Sequence, residues 1–338
     1  MRNLFSLIGL FLALVVQAQD PQFSQYYAAP LLLNPALTGG GECYRVGFNG
    51  RTQWTGLPSA YNTIAVFGDL NYEDLRSGFG VYALHDEMGT AKLSTNEFSA
   101  LYRYQVSFSK KVNFRFGLQA SYVSRTINYS TLTFEDQYAG TVLTGVASAD
   151  RVIDFNKTQY FDFSSGILMY DEDNYWLGIS AYHLNRPNQG FMDESNIPIK
   201  LSVHGGYNFY THKRFRDQIQ WRITPTFLYK AQAKFDQLDL GIYFIREKLL
   251  AGIWYRGIPV KKDENIHSSD AIVFQGGLKL HSFSVVYSYD FTVSKLEFRN
   301  TKGSHELSII YNFCLDWPPK KKPARSVRRL PCPSFNRR

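Results

Sequence analysis

Alternation of apolar and polar residues with a period of two, recurring from residue 44 to residue 313, limits this chain's fold more than any other feature. In residues 44–54, Tyr44, Val46, Phe48, Thr52 and Trp54 share one face of an extended chain; Arg45, Asn49, Arg51 and Gln53 share the other. The pattern returns with Phe114, Phe116, Leu118, Ala120 and Tyr122 against Asn113, Arg115, Gln119 and Ser121. It returns again with Leu307, Ile309, Tyr311 and Phe313 against Glu306, Ser308 and Asn312. One face suits lipid and the other a wet or charged lumen, which together describe a transmembrane β-barrel.

Strands are expected near residues 42–54, 60–70, 76–86, 93–108, 112–126, 160–171, 174–184, 199–211, 218–230, 234–246, 248–257, 270–280, 282–291 and 303–313. About fourteen antiparallel strands is an even number, as single-chain bacterial barrels require. The connections are sorted by parity: every second one is short, whereas the alternate set includes the long intervals 127–159, 185–198, 258–269 and 292–302. A soluble sandwich has no reason for such sorting, but a barrel with short periplasmic turns and long outer loops does. Both termini are then expected in the periplasm, with 127–159 the largest exposed element. Trp54, Tyr175, Trp176, Trp221, Tyr229, Tyr255, Tyr311 and Phe313 fall at strand ends, where interfacial girdles belong. Pro225 conflicts with its strand and predicts a bulge or a shifted boundary.

Four regions follow. Residues 1–18 read as a signal peptide: Arg2, a largely apolar run from Leu4 to Val16 too short to span a bilayer, and Val16, Gln17 and Ala18 before the cleavage point. Residues 19–41 hold Pro30, Pro35 and a Gly39–Gly41 run, and predict a plug-like segment in the lumen or at the periplasmic mouth, with Phe23, Tyr26, Asn34 and Pro35 as its anchors. Residues 42–313 form the barrel, and residues 314–338 an extended periplasmic tail.

The formal charge of +8 is confined to the ends: the tail contributes +7 and Arg2 the rest, so the barrel is neutral and nucleic acid is not an expected partner. Five prolines beyond Trp317 favour a polyproline-like arm reaching about 60 Å. Lys320, Lys321, Lys322, Arg325, Arg328, Arg329 and the apolar anchor Phe335 are its candidate partner-binding residues. An oxidising compartment permits a disulfide between Cys43 and Cys314, with a Cys314–Cys332 bridge or free thiols as the alternatives.

No nucleophile, base and orienting group can be named together, and the seven histidines show no metal spacing, so neither catalysis, cofactor nor metal is expected. His204 beside Ser202 is only a period-two coincidence. A porin or fatty-acid-transporter-like channel is the alternative reading, with Arg45, Arg51, Arg103, Arg115 and Arg125 as a selectivity ladder. Against it, these arginines are expected to pair with acids such as Asp69, Glu97, Asp162 and Asp239.

Four separated blocks, "QDPQFSQYYAAPLLLNPALTG", "YRVGFNGRTQWTGLPSAYNT", "LGISAYHLNRPNQGF" and "SYDFTVSKLEFRNTKGSHELSIIYNF", resemble the PorP/SprF family of type IX secretion system outer-membrane proteins. The resemblance implies a non-enzymatic barrel in outer-membrane lipid that works with the secretion and gliding machinery. It implies as partners a periplasmic ring of lipoprotein and partner protein, and a large surface adhesin or secreted effector.

Overall fold

The structure is a computed structural model describing residues 20–41, 44–57, 59–109, 111–150, 154–212, 219–257, 270–280, 282–294 and 298–314. A meander of β1 (Tyr44–Gln53), β2 (Tyr61–Tyr72), β3 (Ser77–Met88), β4 (Leu93–Ser107) and β5 (Val112–Thr126) opens the sheet. A small ribbon, β6 (Tyr138–Ala139) with β7 (Val142–Leu143), stands apart in the connection that follows. The sheet resumes with β8 (Lys157–Asp171), β9 (Tyr175–Tyr182), β10 (Lys200–Tyr207), β11 (Phe209–His212), β12 (Ile219–Gln232) and β13 (Phe235–Arg246). It ends with β14 (Leu249–Arg256), β15 (Ala271–Leu280), β16 (Phe283–Thr292) and β17 (Ser304–Phe313).

Because β10 and β11 are halves of one stave, fourteen antiparallel staves are described. First and last pair from Tyr44↔Phe313 to Gln53↔Ser304, so the barrel closes without an edge. Alternation survives in three dimensions. Arg45, Asn49 and Arg51 are buried inside, whereas Val46, Val66, Phe98, Leu118, Phe161 and Phe274 are exposed on the outer wall.

Pro225 lies opposite Ile242 of β13 with no shift in register. On its other flank the neighbouring stave is broken at Asn208, between β10 and β11. The missing N–H therefore falls where the ladder is already interrupted, and neither a bulge nor a new boundary is needed at this residue.

The lumen is not simply wet or charged. Leu168, Tyr170, Trp176, Leu228, Tyr243, Leu250, Trp254 and Val273 pack inward against Tyr26, Tyr27, Leu33, Ala36 and Leu37. Ala65, Phe67, Tyr82, Leu84, Leu101 and Ile310 form a second cluster with Phe23, Ala28, Ala29 and Leu31. Trp176 is thus not a girdle residue: it is 2% exposed and donates its indole N–H to Tyr27 Oη at 3.0 Å. The strand-end position that suggested an interfacial ring is overridden by its inward parity.

Candidate functional site

Strand direction defines two rims. β1, β5, β9 and β14 end at one, the long-loop rim; β2, β4, β8 and β13 end at the other, the short-turn rim. Residues 20–41 pass between them inside the barrel, and their path can be followed partner by partner.

At the long-loop rim, just past β9, His183 Nε2 is 2.9 Å from Asp20 Oδ2, and Lys200 Nζ, at the start of β10, donates to the same oxygen at 2.5 Å. His183 Nδ1 lies 3.0 Å from Asp162 Oδ2, an ion pair that ties the imidazole to the wall. Lys200 also sits 4.6 Å from the centroid of the Tyr182 ring.

Below this rim is a buried ionic network. Ser24 N and Gln25 N donate to the Glu306 carboxylate at 2.6 and 3.0 Å. Ser24 Oγ donates to Asp290 Oδ2 at 2.7 Å, and accepts from Arg51 at 2.5 Å and Arg256 at 2.7 Å. Both arginines reach Asp290, at 2.8 and 3.1 Å, and Arg51 also pairs with Glu306 at 3.2 Å. Tyr26 Oη donates to Asp239, and Gln22 accepts from Lys230 Nζ at 2.6 Å.

The middle of the segment is a one-turn helix, Pro30–Leu33, followed by a 3-10 turn, Pro35–Leu37. Proline at the first position suits both, because its missing N–H would have no helical partner there. Asn34 caps the second turn, its Oδ1 accepting from Ala36 N at 2.9 Å. Its Nδ2 reaches Ile167 O at 3.3 Å, Ile179 O at 3.2 Å and His204 Nε2 at 3.2 Å, so one side chain stitches the segment to three staves.

Glycines on the inner wall make room for this turn. A Cβ at Gly166 would lie 1.9 Å from Asn34 Oδ1, and one at Gly117 would lie 2.2 Å from Ala36 N. The two glycines are register partners on β5 and β8.

At the short-turn rim, Gly39 N donates to Asp69 Oδ2 at 2.7 Å, and Arg103 donates to Thr38 O and Gly39 O at 2.9 Å each. Arg45 grips Asp69 through two bonds at 2.8 and 2.5 Å.

The structure therefore places the four anchors Phe23, Tyr26, Asn34 and Pro35 within the barrel, all buried. The five arginines do not line an open ladder. Arg45 takes the expected Asp69; Arg51 takes Asp290 and Glu306; Arg103 holds backbone carbonyls; Arg115 bonds Gln105 at 3.0 Å; Arg125 bonds Gln189 at 2.5 Å. Of the other expected acids, Glu97 accepts from Tyr82, Asp162 faces His183, and Asp239 faces Tyr26 and Arg256.

Sequence reasoning missed Asp20, Asp290 and Arg256, and gave no role to the wall glycines; inward parity on the predicted strands was the signal for Asp290, Gly117 and Gly166. Cys314 is disulfide-bonded. Cys43, Cys332, the leader and the tail residues Lys320 to Phe335 lie outside the described residues. Asp20 lies at the long-loop rim and Cys314 at the short-turn rim, while both termini, expected on the periplasmic side, lie outside the described residues.

The rim contact carries a pH dependence. Burial disfavours a charged imidazole, but Asp20 and Asp162 outweigh it and push His183 up to about 9. Asp20 is also buried, yet Lys200 and His183 hold its carboxyl well below the usual range. A histidine raised above its unfolded value of about 6.5 contributes fully below that pH and loses the contribution as pH rises through about 9. Proteolysis of the N-terminal segment in the folded barrel is therefore expected to rise between pH 7 and about pH 10. Equal protection across that range would contradict a charged His183.

A family model described as type IX secretion system membrane protein PorP/SprF matches residues 15–311. No curated protein matches the chain. Among solved structures, the Ralstonia pickettii toluene transporter TbuX is 10% identical, with 84% of this chain and 92% of that chain covered at a TM-score of 0.47. A TodX deltaS2S3 mutant monoaromatic hydrocarbon channel is 11% identical, with coverage of 84% and 94% and a TM-score of 0.45. A Pseudomonas aeruginosa FadL homologue is 10% identical, with coverage of 85% and 94% and a TM-score of 0.44.

Proposed function

Because the chain belongs to the family of type IX secretion system membrane proteins PorP/SprF, we propose that this outer-membrane barrel is a plugged, non-conducting accessory of protein export. In this reading the long-loop rim faces outward and supports secretion or surface anchoring of a large adhesin or secreted effector. The short-turn rim faces the periplasm and docks the ring of lipoprotein and partner.

One observation carries the reading: the barrel's interior is filled by its own residues 20–41. One cavity beside this segment measures about 20 Å³ and is lined by residues including Gln25, Tyr27, Tyr243 and Gln275. That is room for about one water molecule. With the lumen occupied, the rims remain for partners. Tyr138, Val142, Leu143 and Val146 stand exposed in the longest connection, the kind of apolar surface that a protein partner covers.

The tail completes the proposal. Lys320, Lys321, Lys322, Arg325, Arg328 and Arg329 would supply charge for the periplasmic partner and Phe335 an apolar anchor. The test is capture of the native barrel in mild detergent, followed by identification of what comes with it. A large surface protein or a ring component is expected, and partners of neither kind would overturn the proposal. Removing residues 315–338 is expected to leave a folded, heat-modifiable barrel but to stop display of the client. Normal display by the truncated protein would exclude the tail from the mechanism.

A further inference from the structure

We infer that residues 20–41 are a releasable strap, latched at the long-loop rim by Asp20 on His183 and Lys200 and tethered at the short-turn rim by its continuation into β1. The functional consequence rests on the orientation proposed above; the latch itself rests only on geometry.

The contacts of the segment are ordered along the barrel. Asp20 meets His183 and Lys200 at the upper ends of β9 and β10, whereas Gly39 meets Asp69 and Arg103 near the lower ends of β2 and β4. Tyr44 then begins β1 at that lower rim, so this end cannot leave. At the leading end, Asp20 is held through its side chain, by His183 and Lys200. Unlatching it allows withdrawal only toward the tether, through the short-turn rim. What happens among the outer loops thereby decides what emerges on the opposite side of the membrane.

Two features mark the latch as built. His183 sits at φ 60°, a left-handed conformation that a histidine adopts at a cost, and its imidazole lies between two carboxylates. A cationic pair, His183 and Lys200, grips one carboxylate of the strap. A carboxylate presented by a partner at this rim could take its place. Farther down, the bonds of Ser24 to Arg51 and Arg256 and of Asn34 to the Ile179 carbonyl resist release, so the latch sets the threshold for opening rather than the whole hold.

The test uses the full chain in intact cells with a membrane-impermeant maleimide. Pro21→Cys reports the strap's leading end and Val146→Cys reports the long loops, each against the unsubstituted protein as background. In the latched state both sites label on intact cells, Pro21→Cys the more slowly because Pro21 is half-buried and Val146 exposed. Adding Asp20→Asn with Lys200→Met is expected to lower Pro21→Cys labelling on intact cells and to recover it after permeabilisation, while Val146→Cys labelling is unchanged.

If Val146→Cys labels on intact cells and Pro21→Cys does not in the otherwise native chain, the strap's course is wrong. If the latch substitutions leave Pro21→Cys labelling unchanged in a heat-modifiable barrel, the latch is wrong. If both sites label only after permeabilisation, the proposed orientation fails, and the latch substitutions should then bring Pro21→Cys labelling to intact cells; no such gain would overturn the latch. Should the double variant fail to assemble, His183→Gln alone gives the same readout with a smaller expected loss.

Discussion

Gly166→Leu is expected to expel the Asn34–Leu37 turn from the lumen while leaving the barrel wall closed. The new Cβ alone would lie 1.9 Å from Asn34 Oδ1 and 2.9 Å from its Cγ, and the rest of a leucine would occupy the volume of the turn. Overpacking of this kind costs about 1–3 kcal/mol or more when neighbours can shift. Here the neighbour is a capped turn pinned by Asn34 to two backbone carbonyls and His204. The wall yields less readily, because Gly166 lies within the β5–β8 pairing that runs from Val112↔Asp171 to Thr126↔Lys157.

The variant should therefore migrate as a heat-modifiable barrel, yet show a protease-sensitive N-terminal segment. Gly276→Leu is the control, since a Cβ there meets nothing within 4 Å. A fully protected segment in Gly166→Leu would mean that the turn is not seated against this wall.

Arg51→Met should be the most destabilising single change in the ionic network. Arg51 and Arg256 share Asp290, and among the described residues Arg51 alone forms an ion pair with Glu306. These four side chains are all at most 4% exposed. Removing Arg51 leaves two buried carboxylates facing one arginine, and breaking such a pair from one side costs about 3–5 kcal/mol. The midpoint of heat-modifiability should fall markedly. By contrast, Arg246→Ala removes an exposed guanidinium lying 5.3 Å from the Trp221 ring centroid and should cost about 1 kcal/mol or less. Equal effects of the two would contradict the assignment of the buried network as the strap's main ionic hold.

The wall was legible in the sequence because each stave carries its own signal. The period-two pattern placed a strand over 112–126, and the structure has Val112–Thr126. It placed 93–108, observed as Leu93–Ser107. Parity also put Arg45, Arg51 and Glu306 inside. The interior was less legible, since its partners come from residues far apart in the chain. Arg45 with Asp69 joins adjacent strands in register, whereas Ser24 with Asp290 depends on a path that no local pattern encodes. Glu97 faced inward as expected but found Tyr82 and Ser99 rather than an arginine. Trp176 was misplaced because an aromatic at a strand end serves equally as girdle or core; only the neighbouring Tyr27 decides.

Single-channel recording in planar bilayers tests the central claim most directly, that this barrel is closed by its own residues 20–41. The native protein is expected to insert without a steady conductance step, and Gly166→Leu to show one. Steady open steps from the native protein would contradict the account and return the lumen to the role of a solute channel.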